Sequence, residues 1–310
     1  MKHVRRAAFV LLSCTALLGA ARLIPEKEAP PPAALPAVYV CDGYAIATEA
    51  AYDESSLQYA ARKFQHLYDS YLTDNRGHIY LSVIPDKGSF SQPPEGYVPA
   101  SAAETAQALL DRLDFARYVA IAPLLSLEDY YRTDPHWRQE RLIPTAQALA
   151  AAMGVPLAGE YRQQTLPDPF QGAYWDKTEE PLTADTLCYL TNDVLDACTV
   201  WDYETDSQHG LYDVDAAQAG TAYDLFLSGS RPLLRIESPL SATERELVVF
   251  RDSFGSSLIP LLAESYRTVT VVDIRYLASD LLGRFATFHG SEDVLFLYST
   301  MVLHNSTTMK

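Results

Sequence analysis

Short runs of apolar residues dominate the last third of the chain. Residues 246–250, 268–273 and 294–298 are rich in β-branched side chains, and stretches with helical spacing separate them. Strands that are apolar on both faces are typical of parallel sheets, because helices cover both sides of such a sheet. The pattern therefore predicts an α/β fold with a mainly parallel central sheet flanked by helices.

The first half of the chain alternates between strand and helix patterns. Pro144 suits a first helical position, and Gly154 lies just past the end of the same segment, so this helix is bounded at both ends. The apolar spacing predicts strands at 37–41, 77–85 and 116–123 and helices at 57–72, 106–113 and 144–154.

Residues 155–229 follow no regular period. The segment is rich in Asp, Tyr, Thr and Pro. A long irregular stretch inside a compact protein is usually a functional insertion or a decorated loop. We expect this insertion to belong to a single domain that spans residues 38–310.

The first 37 residues predict export. A basic hexapeptide precedes an apolar run at residues 7–21, and this length is typical of a signal peptide, whereas a bilayer span needs about 20 residues. Leu23 and Ile24 could extend the run, so residues 1–24 are a signal peptide or an N-terminal membrane anchor. Residues 25–37 are rich in proline and predict an extended linker. The protein is expected to be extracytoplasmic, secreted or anchored.

The formal net charge of −16 excludes one class of partner. An acidic surface repels phosphates, so we expect no nucleic acid partner. The histidines show neither H-x-H nor H-E-x-x-H spacing, and no C-x-x-C pair occurs. The sequence therefore predicts no metal site and no cofactor.

Three cysteines follow the leader: Cys41, Cys188 and Cys198. Exported proteins can form disulfides, and Cys188 with Cys198 is the local candidate pair. Because three is an odd number, at least one thiol stays free or pairs outside the chain.

The segment "TDPHW" places Asp134 two positions before His136. In an extended backbone these two side chains point to the same face, and Pro135 keeps its predecessor out of the helical region. In a serine hydrolase or acyltransferase, such a carboxylate orients the histidine that takes the proton of the nucleophile. The alternative is an Asx-type turn that carries a surface histidine.

Ser253 is the candidate nucleophile, in "VVFRDSFGSSLIP". It follows an apolar strand, and ligand sites in open α/β sheets lie beyond the carboxyl ends of the strands. The alternative is that Asp252 or Ser253 only caps a helix. Pro260 suits the first turn of a helix and would break the interior of one that begins at Ser253.

Several spaced blocks resemble the DHHW protein family. They are "VIPDKGSF", "YYRTDPHW", "FLSGSRPLLRI", "FRDSFGSSLIPLLAESYRTVTVVDIRY" and "DVLFLYS", and the similarity runs from about residue 38 to 305. The family is similar to the SGNH-hydrolase-like alginate O-acetyltransferases. The resemblance implies an SGNH-hydrolase-like fold in which Asp134 orients the base, His136 is the general base and Ser253 is the nucleophile.

The chain departs from the family pattern at two positions. Pro135 stands where the family has its first histidine, and the D-x-H spacing survives this change. Gly229-Ser230 stands where the family has Gly-Asn, so a serine hydroxyl would replace an amide that helps to bind an oxyanion. Gly172 could offer a backbone N–H to the same oxyanion.

Two cations near the blocks, Lys87 and Arg275, could also line the site. Charged residues at strand ends are usually solvated, and Asp273 is a structural partner for Arg275.

The resemblance implies an extracytoplasmic O-acetyltransferase. In that reading, Ser253 carries the acyl group to a cell-surface polysaccharide, and a membrane-bound O-acyltransferase partner supplies it. One alternative is a secreted carbohydrate esterase with the same triad, in which water accepts the acyl group. The other is an envelope binding or assembly protein whose triad is inactive.

Overall fold

The computed structural model describes residues 35–48, 51–218 and 222–310. The expected signal peptide or anchor at 1–24 lies outside the described residues, as does all but the end of the linker at 25–37. Within the described part, we find no helix that is long and apolar enough to cross a bilayer. Leu35–Lys310 form one compact unit.

The chain alternates between strands and helices from Val38 onwards. The strands are β1 (Val38–Cys41), β2 (Tyr44–Ala47), β3 (Ile79–Ile84), β4 (Arg117–Tyr118), β5 (Arg162–Phe170), β6 (Asp185–Thr191), β7 (Thr199–Asp202), β8 (Ser207–His209), β9 (Leu233–Glu237), β10 (Glu246–Arg251), β11 (Thr268–Val272) and β12 (Asp293–Ser299). The helices are α1 (Glu54–Leu67), α2 (Ala102–Leu110), α3 (Ile143–Met153), α4 (Asp193–Asp196), α5 (Val214–Gln218), α6 (Gly255–Leu262) and α7 (Thr300–Leu303).

An eight-stranded sheet organises the molecule, in the order β4-β3-β12-β10-β11-β9-β7-β8. The five strands from β4 to β11 pair in parallel. β9 runs antiparallel to β11, and the remaining pairs at that edge are also antiparallel. The predicted α/β class with a mainly parallel sheet is confirmed.

The core occupies both faces of this sheet. Leu247 and Val249 belong to one apolar cluster, and their neighbours Val248 and Phe250 belong to the other. This alternation follows from the period of two along a strand. Helices α3 and α6 cover the first face, while α1 and α2 cover the second, which explains why the central strands are apolar throughout.

The irregular insertion divides into two parts. β5 and β6 pair as a separate two-stranded sheet, whereas β7 and β8 extend the edge of the main sheet. A third apolar cluster joins the insertion to Tyr131, just before the D-P-H segment. The insertion thus forms a wall beside that segment.

Three local expectations are wrong in detail. The helix predicted at 57–72 is α1 followed by a π-helical turn at Tyr68–Leu72, and the strand predicted at 116–123 is only the two-residue edge strand β4. Pro260 lies inside α6 rather than preventing it, because its missing N–H leaves only one helical carbonyl without a donor.

The candidate pair Cys188 and Cys198 forms no disulfide. Both thiols are free, and Cys41 is free as well. Cys188 lies in β6, where it contacts Gln163 and Thr165, whereas the Cys198 thiol donates to the carbonyl of Val194. The two cysteines are close in sequence, but each has a different set of neighbours.

Candidate active site

The D-P-H segment lies in a tight loop closed by paired backbone. Tyr130 and Trp137 form an antiparallel bridge, and the Tyr131 N–H donates to the His136 carbonyl at 3.0 Å. Within this loop, Asp134 Oδ1 lies 2.6 Å from His136 Nδ1 and also accepts the His136 backbone N–H at 3.1 Å. The loop bend brings the carboxylate to the imidazole, which the spacing of two alone left open.

Ser253 lies at the other ring nitrogen of His136. It lies two residues beyond β10, at the carboxyl end of the sheet, and its Oγ is 2.8 Å from His136 Nε2. The three side chains therefore form one continuous chain of hydrogen bonds, although 117 positions separate His136 from Ser253. Asp134 is buried, whereas His136 and Ser253 are partly accessible.

The carboxylate of Asp134 is kept ionised. Burial by itself raises the pKa of this group, but the facing imidazole of His136 and the backbone N–H of Ala173 outweigh it, so the pKa is lowered overall. An ionised carboxylate can hold Nδ1 protonated, which leaves Nε2 free to accept a proton from Ser253.

Lys87 holds the loop through hydrogen bonds to its backbone carbonyls. Its Nζ donates to the carbonyls of Tyr131 at 3.0 Å and Asp134 at 2.9 Å, with a longer contact to Arg132 at 3.4 Å. The side chain is fully buried, contrary to the solvated position that the sequence favoured. Burial lowers the pKa of Lys87 to about 8 against the opposing charge of Asp86 and two other carboxylates.

Asp185 supports the same loop from the insertion. Its carboxylate accepts the backbone N–H groups of Arg132 and Thr133, both at 2.8 Å, and the Thr133 hydroxyl at 2.6 Å. Asp185 is the first residue of β6, so the small sheet of the insertion is tied directly to the loop that carries Asp134.

Two aromatic side chains pack against the imidazole. The Tyr223 ring stacks on His136 with a centroid distance of 3.8 Å and an angle of 9°, and the Phe254 ring contacts it at a tilt of 55° with a centroid distance of 4.8 Å. The buried Trp137 indole donates to the Phe254 carbonyl at 2.9 Å, which joins the loop to the start of α6. The packing leaves His136 little freedom to rotate away from Ser253.

Gly172 approaches the loop closely. Its N–H donates to the Thr133 hydroxyl at 3.0 Å, so this group is engaged within the fold. A Cβ at this position would lie 2.3 Å from Asp134 Cβ, so any larger residue would collide with the loop. The next residue, Ala173, gives its N–H to Asp134 at 3.0 Å.

Gly229 also has its N–H engaged, with the Phe226 carbonyl. Leu227, Ser228 and Gly229 all have positive φ, which is unusual for the first two residues and marks a strained turn. Ser230 follows this turn on the surface, and among the described residues its hydroxyl makes no hydrogen bond to the triad. The N–H groups of Gly172 and Gly229 are thus engaged within the fold, and a role for Gly172, Gly229 or Ser230 at an oxyanion stays a prediction.

The second predicted cation, Arg275, has a structural partner. Both oxygens of Asp273 accept from its guanidinium, at 2.9 and 2.7 Å, which confirms the predicted pairing. The same carboxylate lies 3.5 Å from the buried Arg251 guanidinium, two residues before Ser253. Asp252 is fixed as well, because it accepts the backbone N–H and the hydroxyl of Ser299.

No group of three or more histidine, cysteine, aspartate or glutamate side chains in residues 35–48, 51–218 and 222–310 is arranged to hold an ion.

Sequence reasoning missed Tyr223 and Asp185. Both lie in the insertion, where no periodic pattern distinguishes one tyrosine or aspartate from the next. Only the fold brings them to the loop, and no local signal marks them.

The chain has an α/β fold with a mainly parallel sheet, and it shares the SGNH-hydrolase-like fold of its solved structural neighbours. A DHHW family protein from Eubacterium siraeum shares this fold with a TM-score of 0.66 and 24% identity, over 87% of this chain and 93% of that chain. Bacillus cereus PatB1 follows with a TM-score of 0.65 and 18% identity, over 86% and 96%. The O-acetyltransferase domain of Pseudomonas putida AlgJ has a TM-score of 0.50 and 16% identity, over 87% and 92%.

These similarities confirm, at the level of the fold, the resemblance read from the sequence blocks. The sequence matches no protein-family profile, and no curated protein matches it.

Proposed function

We propose that this protein is an extracytoplasmic O-acetyltransferase that acylates a cell-surface polysaccharide through Asp134, His136 and Ser253. The observation that carries the proposal is the continuous hydrogen-bond chain, 2.6 Å from Asp134 to His136 and 2.8 Å from His136 to Ser253. A carboxylate, an imidazole and a hydroxyl in this order form the arrangement that activates a serine for attack on an acyl group.

The reaction proceeds in two steps, formation of an acyl-enzyme and transfer of the acyl group from it. In the first, Ser253 Oγ attacks the carbonyl carbon of an acyl ester or thioester donor while His136 Nε2 takes the hydroxyl proton. The donor bond then breaks, and its leaving group takes that proton from His136. In the second, a sugar hydroxyl attacks the acyl carbon and gives its proton to His136. The bond to Oγ breaks, and Ser253 regains a proton.

The Ser253 backbone N–H is the first candidate donor to the oxyanion. Within the described residues it makes no hydrogen bond, and the N–H of a nucleophilic serine commonly serves this purpose. The N–H groups of Gly172 and Gly229 already have partners within the fold, so among these described residues Ser253 offers the free N–H near the site.

The similar structures support the same class of reaction. One is the O-acetyltransferase domain of Pseudomonas putida AlgJ, and Bacillus cereus PatB1 has been solved with a sulfonyl adduct. An acceptor outside the membrane needs a donor from inside the cell, so we propose a membrane-bound O-acyltransferase as partner, and residues 1–24 as the export signal or anchor.

An acetyl-ester assay tests the proposal. Incubation with an aryl acetate and a neutral oligosaccharide should yield acetylated sugar with the native chain and none with Ser253→Ala, while Ser89→Ala, at an exposed serine elsewhere, retains activity. Acetate release without sugar acetylation would identify an esterase. If neither the native chain nor Ser253→Ala exceeds the uncatalysed rate, both enzymatic readings fail and the binding protein remains.

A further inference from the structure

A cleft of about 310 Å³ opens beside the nucleophile strand. This volume lies within the range of small-molecule sites, roughly 300–1,000 Å³. It is lined by Arg275, Tyr276, Met301, Val302, Asn305 and Thr308. The first two follow β11 and the others follow β12, so the cleft lies at the carboxyl edge of the sheet.

β10, which leads to Ser253, pairs with β11 on one side and with β12 on the other. The loops that form the two walls of the cleft therefore flank the loop that carries the nucleophile. In open α/β sheets this edge is where ligands bind.

Two buried carboxylates connect the walls to the residues around Ser253. Asp252 accepts from the backbone N–H and the hydroxyl of Ser299, at 2.7 and 2.6 Å, and the Ser299 hydroxyl in turn accepts from the Val302 N–H at 3.2 Å. On the other side, Asp273 binds Arg275 through both oxygens and also faces Arg251. The cleft is thereby fixed in position relative to the nucleophile.

The chemistry of the cleft suits an uncharged sugar. The Tyr276 ring is 49% exposed, with the Arg275 guanidinium 5.4 Å from its centroid. An exposed aromatic ring offers an apolar surface for the C–H face of a sugar. Arg275 is the charged member of the six lining residues. It binds both oxygens of Asp273, and the two carboxylates Asp273 and Asp252 balance the two guanidinium groups Arg275 and Arg251, so the cleft carries no net positive charge to attract an anionic polymer.

We propose that this cleft is the acceptor subsite, which binds one or more uncharged sugar residues and so determines the glycan that receives the acyl group. The inference rests on the proposed acyl transfer and names the substrate class of that site. Tyr276 provides the stacking surface, and Met301 and Val302 form the apolar floor.

Saturation-transfer NMR tests the inference without turnover. The full chain carrying Ser253→Ala is titrated with chitotetraose and cellotetraose as neutral probes and with tetragalacturonic acid as the anionic one. We expect the neutral probes to bind, and we expect Tyr276→Ala to weaken their binding about tenfold through loss of stacking. Val302→Trp, which fills the cleft, should weaken it as well. Tyr203→Ala, at a tyrosine 38% exposed beside β7, is the matched control and should bind like the parent.

Three results would overturn the inference: no binding of either neutral probe, equal binding by the Tyr276→Ala and Tyr203→Ala variants, or tighter binding of the anionic probe. Thermal unfolding of each variant shows that the fold is retained, and Val302→Trp provides an independent test if Tyr276→Ala is unstable. Failure of the proposed function is measured separately, as absence of sulfonyl fluoride labelling at Ser253 in the native chain. Absent labelling combined with Tyr276-dependent binding would refute acyl transfer and retain the glycan cleft.

Discussion

The carboxylate of Asp134 accepts hydrogen bonds on both oxygens, from His136 on one and from Ala173 on the other. An amide in its place could present an N–H to the imidazole and stabilise the wrong tautomer. We expect Asp134→Asn to reduce the rate of Ser253 acylation by a factor on the order of 10³–10⁴. Stopped-flow kinetics with an aryl acetate checks this, and a loss of less than tenfold would remove Asp134 from the mechanism.

Because Lys87 is buried, we expect it to make the free energy of unfolding depend on pH. Its pKa is about 8 in the folded chain, against an ordinary 10.5, because burial disfavours its charge. Between these two values the unfolded chain binds more protons, so the contribution of Lys87 to the free energy of unfolding rises with pH in this window. Urea titrations of the native chain and of Lys87→Met at pH 7.5 and 10 measure it. The difference between the two should shift in favour of the native chain at the higher pH, whereas a constant difference would contradict the account.

At the scale of elements, the contact between the insertion and the D-P-H loop positions Asp134. Gly172→Ala would place a Cβ 2.3 Å from Asp134 Cβ and 2.7 Å from the Thr133 carbonyl. We expect this overpacking to cost about 1–3 kcal/mol of stability and to lower acylation of Ser253 by displacing the loop. Gly210→Ala is the matched control, since a Cβ there meets nothing within 4 Å. Chemical denaturation and labelling kinetics measure both effects, and equal behaviour of the two variants would show that the contact does not matter.

The sequence predicted the elements that have a strong period. The three apolar strands of the last third became β10, β11 and β12, and Pro144 and Gly154 marked α3 closely. The strands of the insertion were not predicted, because β5 is largely exposed and contains two prolines. Such a strand has neither the alternation nor the apolar character that identifies a buried one.

The candidate site was predictable only in part, for a related reason. The D-x-H spacing and the serine after a strand are local signals, and they led to the three residues that the structure brings together. Tyr223 and Asp185 act through contacts between distant segments, and no pattern within either segment encodes them. The hydrogen bonds from Lys87, which follows β3, to the backbone of the D-P-H loop likewise depend on how distant segments pack.

For the whole molecule, stability comes from the two apolar faces of the sheet rather than from covalent links. The three cysteines of the described residues are free thiols. We therefore expect the unfolding temperature to be the same with and without a reducing agent. A scan by differential calorimetry measures this, and a fall of several degrees on reduction would reveal a disulfide that contradicts the structure.

The net charge of the whole chain bears on which acceptor the proposed reaction would use. A chain with net charge −16 is poorly suited to hold an anionic polymer, which agrees with a neutral glycan as acceptor. In the function proposed above, a neutral acceptor and the net charge of the chain are therefore consistent with each other.

Mapping a sulfonyl fluoride adduct by peptide mass spectrometry tests the central claim most directly. If the hydrogen-bond chain activates the serine, the adduct lies on Ser253, and His136→Ala reduces labelling by orders of magnitude while the variant stays folded. An adduct on another residue, or labelling of Ser253 that does not depend on His136, would contradict the account.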